Sequence, residues 1–401
     1  MEIKHSSIRI STTEYSARCT ALLTHIRTKQ LSGVVLFDRD YILYYAGFAF
    51  IPTERPIAFL MNAKGEKALF VPRLELEHAQ ANALIDRVEH YTEYPDKPHP
   101  MKKLKVTLVN MGITKDLGAD HDGYPWIFGY RGPSISELTG ARVRQVTAFV
   151  EDQMMIKSPA EIALMRESVR WGNLAHMLLQ RYTKVGLTET DVSLRASMDA
   201  NIAMLDAIGP LYRSQNAFSD GASAGYRGQI GRNSAIPHAL ANNVVFQPGD
   251  VLVTGATAPM WGYVSELERA MIIGHPSQDH HHMFEHMLAV QNLAFSLIRP
   301  GVKCSDVDRG VRGSYEDNNL QSYWRHHVGH GIGLRYHEAP FMDIGDMTEL
   351  KPGMVLTVEP GLYVPGLGGF RHSDTIVIVE DGIEILTYYP RDLSSLTIMA
   401  N

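Results

Sequence analysis

His326-His327-Val328-Gly329-His330-Gly331-Ile332-Gly333-Leu334-Arg335-Tyr336-His337-Glu338 is the densest polar cluster in the chain. Glycines on both sides of His330 let neighbouring backbone approach closely, which suits a histidine that lines a pocket. The alternative is a glycine-rich turn with surface histidines. Just downstream, Val355-Leu356-Thr357-Val358-Glu359 reads as an apolar strand ending in a carboxylate before Pro360-Gly361. That acid is either an exposed strand end or a pocket acid. Residues 375–379 read as its strand partner, with the glycine-rich residues 365–369 between them.

Upstream, Ser265-Glu266-Leu267-Glu268-Arg269-Ala270 carries two acids flanking a leucine. In an extended conformation both carboxylates share one face and Leu267 takes the other. Like charges so placed need a cationic partner, or else the face is solvated. His238 follows Pro237 in a loop and is either structural or a proton carrier. His280-His281-His282 opens a helix over residues 282–297 and reads as surface. No glycine-rich segment has the strand–GxxxxGK[ST]–helix context of a phosphate loop.

Ser158-Pro159-Ala160-Glu161 predicts a helix start by its cap, its proline and its capping-box glutamate. A second helix is predicted from about residue 188. Before them, short apolar runs at 34–37, 41–45, 56–61, 68–71 and 105–109 read as strands, with helical periodicity at 17–29 and 74–84. Residues 250–254 and 261–264 read as a hairpin turning through Pro259. This predicts an α/β (α+β) chain with a smaller amino-terminal α/β domain, 1–153, and a second domain, 154–401. Helices followed by hairpins occur twice in that second domain, a sign of internal duplication.

The chain has 401 residues, 45% of them hydrophobic, enough for roughly two or three domains at ~150 residues each. Its 38 Lys and Arg against 44 Asp and Glu leave a net charge of −6, which excludes a strongly basic nucleic-acid binder. Cys19 and Cys304 are the only cysteines, too few and too far apart for a disulfide framework or a structural zinc site. No secretory leader and no run of about 18 apolar residues is visible. The expectation is a cytoplasmic protein with neither nucleic acid nor membrane as partner.

His330-Gly-Ile-Gly with His337-Glu338, Val358-Glu359-Pro-Gly, and Gly368-Gly-Phe-Arg-His-Ser-Asp374 together resemble the pita-bread-fold hydrolases. That family includes methionine aminopeptidase, Xaa-Pro peptidases, prolidase and creatinase. The resemblance implies a pita-bread catalytic domain with a pseudo-twofold duplication, preceded by a creatinase-like domain. Metallopeptidases of the family hold two ions with two Asp, one His and two Glu. Matched position by position, the first Asp falls at Gly255 and the second at Glu266. The histidine is kept as His330 and one glutamate as Glu359, while the other glutamate falls at Ser373. Loss of bridging carboxylates argues against a pair of ions and leaves Glu266, His330 and Glu359 for a single one.

Metal-free creatinase has a glutamate at the position of Glu268, another at Glu359, and histidines at His238 and His330. Its Arg-Pro pair, which binds the substrate carboxylate across a dimer, resembles Arg55-Pro56. Thr53, Glu266 and Ser373 depart from creatinase. The resemblance implies a homodimeric hydrolase of the creatinase/Xaa-Pro peptidase family, acting on a small-molecule substrate. The expectation is a metal-independent enzyme, with no cofactor, cleaving a C–N bond in a small cationic or zwitterionic guanidino or amidine-like compound. His238 would be the base, with Glu268, Glu359, His330 and His337 also catalytic. Arg55, Glu266, Tyr263, Arg371 and Ser373 would bind substrate. The alternatives are an Xaa-Pro peptidase with one ion or an unusual pair, and an inactive peptide-binding module.

Overall fold

The computed structural model describes residues 9–217 and 219–400. The chain divides into two units, one built from Ile10–Met154 and the other from Met155–Ser214 with Ser219–Asn401. The amino-terminal unit runs α1 (Thr12–Thr28), β1 (Gly33–Leu36), α2 (Arg39–Ala46), β2 (Ala58–Asn62), β3 (Lys67–Pro72), α3 (Leu76–Asn82), β4 (Arg87–Tyr91), α4 (Pro100–Asn110), β5 (Asp116–Ala119), α5 (Ile135–Thr139) and β6 (Arg142–Gln145), with α6 (Thr147–Met155) following. Its strands form one sheet in the order β4-β3-β2-β1-β5-β6. Val35, Leu60, Phe70, Leu104, Leu108 and Leu117 are among the side chains of its core.

Two apolar runs expected as strands here are helices. Residues 41–45 lie in α2, where the Asp38 side chain accepts from the Asp40 and Tyr41 N–H groups and Gly47 closes the helix at φ 63°. Because residues 40–46 are all buried, the run shows no amphipathic period and its composition mimics a strand. Residues 105–109 lie in α4, which starts at Pro100 behind a His99 cap. Leu104 and Leu108 face the core while Val106 and Val109 are exposed. The β-branched valines hid that i, i+4 spacing.

The second unit opens with α7 (Pro159–Tyr182) and α8 (Glu189–Ile208), then β7 (Ser223–Gly225), β8 (Val251–Val253), β9 (Gly255–Thr257), β10 (Leu267–Glu268) and β11 (Ala270–Ile273). The same order recurs as α9 (Gln278–Leu297) and α10 (Cys304–Asp317), then β12 (His330–Gly331), β13 (Glu338–Phe341), β14 (Val355–Val358), β15 (Gly361–Val364), β16 (Gly368–Arg371), β17 (Ser373–Val379), β18 (Gly382–Ile385) and β19 (Thr397–Ile398). The start of α7 is the capping box read from the sequence. The Glu161 N–H donates to the Ser158 hydroxyl at 3.2 Å, and the Ser158 N–H donates to the Glu161 carboxylate at 2.7 Å.

The main sheet has the order β13-β12-β14-β17-β10-β9-β7, with β18 on β17. The two repeats meet where β10 and β17 pair antiparallel, Leu267 opposite Asp374 and Glu268 opposite Ser373. The expected pairing of 355–359 with 375–379 is β14 on β17. The expected 250–264 hairpin is not formed. β8 pairs with β11 instead, and residues 260–263 make a tight turn with Trp261 at φ 52° and Gly262 at φ 88°. Among the described residues no helix is long and apolar enough to cross a membrane.

Candidate active site

His330 sits on β12 between strands that only glycine allows to come so close. A Cβ on Gly329 would lie 2.1 Å from the Thr357 carbonyl oxygen, and one on Gly331 2.4 Å from that of Ala339. The His330 side chain is fully buried. Its Nδ1 lies 3.0 Å from the Gly331 carbonyl oxygen, an acceptor only, so Nδ1 carries the proton and Nε2 keeps its lone pair in the neutral ring. Nε2 lies 3.0 Å from Glu359 Oε1 yet makes no well-aligned hydrogen bond. Glu338, the last residue of the opening stretch, is structural. It forms a buried 2.8 Å pair with Lys157 and accepts from the Arg335 N–H at 3.0 Å, fixing the turn that carries His337.

The paired ends of β10 and β17 bring the acids to the same place. Glu266 accepts from the Ser373 hydroxyl at 2.7 Å, and its own N–H donates to Thr375. Glu268 is buried and pairs with Arg371 at 2.5 Å and with Arg227. Arg371 also approaches Glu359 at 3.9 Å and donates to the Tyr363 hydroxyl at 2.8 Å. His326 Nε2 lies 2.7 Å from the same hydroxyl. The rings of His330 and His337 stack with centroids 3.8 Å apart.

Arg227, His238, Glu266, Glu268, His326, His327, His337, Glu359 and Arg371 line one cavity of about 230 Å³. Arg227, Glu266 and Glu268 also border an adjoining cavity of about 380 Å³, whose wall includes Gly255, Thr257 and Tyr336. A larger groove of about 620 Å³ beside α7 gathers no carboxylate–imidazole group and is not where the chemistry converges.

Charge sets the protonation pattern. Burial penalises an imidazolium at His330, but the contact and charge of Glu359 outweigh it and raise this histidine to about 9. Burial pushes Glu359 up, yet His330 and Arg371 hold it well below the usual carboxylate range. Glu266 is pushed up to about 7, first by burial and then by the charges of Glu359 and Glu268. His337 is pulled down to about 4 by burial and by His330 beside it, and so is neutral near pH 7.

Most of the residues singled out in the sequence converge: His238, Glu266, Glu268, His337, Glu359 and Arg371 line the cavity, with His330 and Ser373 directly behind Glu359 and Glu266. Tyr263 does not. It is buried in the tight turn, and its hydroxyl donates to Glu161 at 2.6 Å, bracing the start of α7 rather than facing substrate. Arg55 belongs to the amino-terminal unit, where its guanidinium pairs with Glu54 at 2.6 Å and Glu93 at 2.7 Å. Arg227 was missed, since its contact with Glu268 spans 41 positions and no local pattern marks it. His326 and His327 were visible in the opening stretch, but nothing in their spacing separated them from surface histidines. The cationic partner expected for Glu266 and Glu268 is supplied to Glu268 by Arg371 and Arg227 from the chain itself.

Glu266, His330 and Glu359 each present a ligand atom, all within 4.8 Å of one another. Two carboxylates and the buried Nε2 of His330, which a cation would reach once the proton it shares with Glu359 leaves, fit one divalent cation of the Mn, Fe or Zn type. A second cation fits poorly, because position 255 offers no side chain and the Ser373 hydroxyl is spent on Glu266.

Comparison with known proteins bears on the same point. Residues 163–380 match Metallopeptidase family M24, and residues 18–129 match the Creatinase/Prolidase N-terminal domain. An Xaa-Pro dipeptidase of Pyrococcus horikoshii is 29% identical over 367 residues, 91% of this chain and 95% of that one. An uncharacterized peptidase of Bacillus subtilis is 29% identical over 365 residues, 90% of this chain and 95% of its own. Among solved structures, the prolidase from Pyrococcus horikoshii OT3 superposes with a TM-score of 0.78 at 26% identity, covering 94% of this chain and 99% of that one. The dipeptidase PepE from Mycobacterium ulcerans gives 0.80 at 25% identity, covering 98% and 100%. The match to a metallopeptidase family, together with the ligand group, overturns the expectation of a site without a cofactor.

Proposed function

Because this chain belongs to metallopeptidase family M24, we propose that it hydrolyses the amide bond of a small peptide of the Xaa-Pro type at a site holding one divalent cation. The observation that carries this reading is the convergence of Glu266, His330 and Glu359 on one point beside the cavity. When bound there, the cation would polarise the scissile carbonyl and lower the pKa of an attacking water.

The chain's own groups divide the remaining work. Arg227 and Arg325 put positive charge at the cavity wall, where a substrate carboxylate would be anchored by charge-assisted hydrogen bonds. His337, neutral and stacked on His330, offers a ring N–H toward developing negative charge on the carbonyl oxygen. His238 is exposed at the cavity wall and able to exchange protons with solvent, as delivery of a proton to the leaving nitrogen requires. A guanidinium substrate has less to bind, since Glu268 already carries two arginines.

The test is proline release from a panel of Xaa-Pro dipeptides, run beside urea or amine release from guanidino compounds, with Mn²⁺ supplied. Proline release that disappears in His330→Ala supports the reading. Turnover of guanidino compounds alone, or dipeptide hydrolysis that survives His330→Ala, contradicts it. Assembly as a homodimer is part of the same proposal, and light scattering on the purified chain measures it.

A further inference from the structure

We propose that the Arg227 guanidinium stands in for a second metal ion, so that the site is built for one cation. This rests on the single-cation reading of Glu266, His330 and Glu359. An ideal Cβ on Gly255 would lie 3.7 Å from Arg227 Cζ and 3.7 Å from Glu268 Oε1. The space vacated by the side chain at 255 therefore adjoins a permanent positive charge and its counter-ion. Arg227 Nη2 holds Glu268 Oε1 and reaches Gln229 Oε1 at 3.3 Å. Arg371 holds the other Glu268 oxygen from the opposite side at 2.5 Å. Both oxygens of Glu268 are thus committed to guanidinium groups, and a divalent ion there would face two fixed cations.

The backbone at Arg227 adds an independent observation. It lies at φ 50°, in the left-handed region, followed by Gly228 at φ 74°. Side chains other than glycine hold that conformation at a cost, and such residues cluster at functional sites. A Cβ on Gly228 would lie 2.0 Å from the Leu240 carbonyl oxygen, so the turn that aims Arg227 depends on glycine next to it. The Arg227 side chain is 50% exposed, which leaves donors facing the cavity after Glu268 is satisfied. The space beside Gly255, where no acid stands, is thereby bordered by a guanidinium.

The experiment counts bound Mn²⁺ per chain by equilibrium dialysis and elemental analysis, with far-UV circular dichroism on every variant. The wild type is expected to bind one ion. Restoring acids in Gly255→Asp/Ser373→Glu while Arg227 remains is expected to leave the count at one. Adding Arg227→Ala to that pair raises it to two, whereas adding Arg227→Lys does not. Two ions in the wild type, or two in the acid-restored chain that keeps Arg227, overturn the proposal. Should the triple variant fail to fold, the pair Gly255→Asp/Arg227→Ala decides: it restores an acid at 255 and frees the Glu268 oxygen that Arg227 holds, and it is expected to show a second, weaker Mn²⁺ by electron paramagnetic resonance that Gly255→Asp alone does not show; its absence overturns the proposal. A wild type that binds no ion removes the single-cation reading, while the difference between Arg227→Ala and Arg227→Lys still judges the role of Arg227.

Discussion

His330 shows how a single residue acquires its chemistry from its neighbours. Glycines at 329 and 331 admit the flanking strands, the Gly331 carbonyl takes the proton on Nδ1, and Nε2 is left facing Glu359. Gly331→Ala would force a methyl to within 2.4 Å of a carbonyl oxygen, and overpacking of this kind costs about 1–3 kcal/mol. The expected result is a lower urea midpoint together with weakened Mn²⁺ binding; an unchanged midpoint would show that the close approach is not needed. Because His330 titrates at about 9 and Glu266 at about 7 without metal, binding a cation must displace their protons below those values. Apparent Mn²⁺ affinity is therefore expected to rise with pH, by about tenfold per unit between 7 and 9, more steeply below 7, and to flatten above 9. Affinity measured by calorimetry that stays level from pH 6 to 9 would contradict the assigned ligands.

These residues were legible because each stands out locally: a histidine between glycines, an acid ending an apolar strand, two acids at alternate positions. Arg227 was not, because what makes it functional is a partner 41 positions away and a left-handed backbone. Tyr263 misled for a related reason. It was expected to bind substrate, but the tight turn at 260–263 sends it to Glu161.

At the scale of elements, the seam between β10 and β17 holds the site together. Arg269, wholly buried, pairs with Asp374 at 2.7 Å, and Asp374 also accepts from Thr387 at 2.6 Å and from Gln291 at 3.0 Å. Glu266 and Ser373 lie next to Leu267 and Asp374, which face each other across this seam. Removing one partner of a buried pair leaves an uncompensated charge, at a cost of about 3–5 kcal/mol. Asp374→Ala is thus expected to lower stability by that order and to weaken metal binding without touching a ligand. Stability within 1 kcal/mol of wild type would mean the pair is dispensable. Helices announced by caps, such as α7, could be read directly. Helices buried all round, such as α2, could not, because their only local signals were an aspartate before and a glycine after a run that otherwise looked like a strand.

For the whole molecule, the duplication in the second domain was visible in the sequence as helices followed by strands occurring twice, and so was the amino-terminal α/β domain in outline. Strand partners were harder. β8 finds β11, not its neighbour in the chain, because register is set by long-range pairing that a local pattern does not encode. A cation held by residues from both repeats ties the folded catalytic unit together, since Glu266 comes from one repeat and His330 and Glu359 from the other. A ligand that binds only the folded state stabilises it, by about 2.7 kcal/mol at a hundredfold excess over Kd. Mn²⁺ at that excess is expected to raise the denaturation midpoint of the wild type and to leave that of His330→Ala unmoved.

Hydrolysis supported by one cation makes activity follow metal occupancy, which stoichiometric reactivation measures. Protein stripped by chelator would be titrated with Mn²⁺ while proline release from an Xaa-Pro dipeptide is followed. Activity should climb from near zero and level off at one equivalent per chain. Full activity in the stripped protein, or a plateau reached only at two equivalents, would show that hydrolysis does not depend on a single cation.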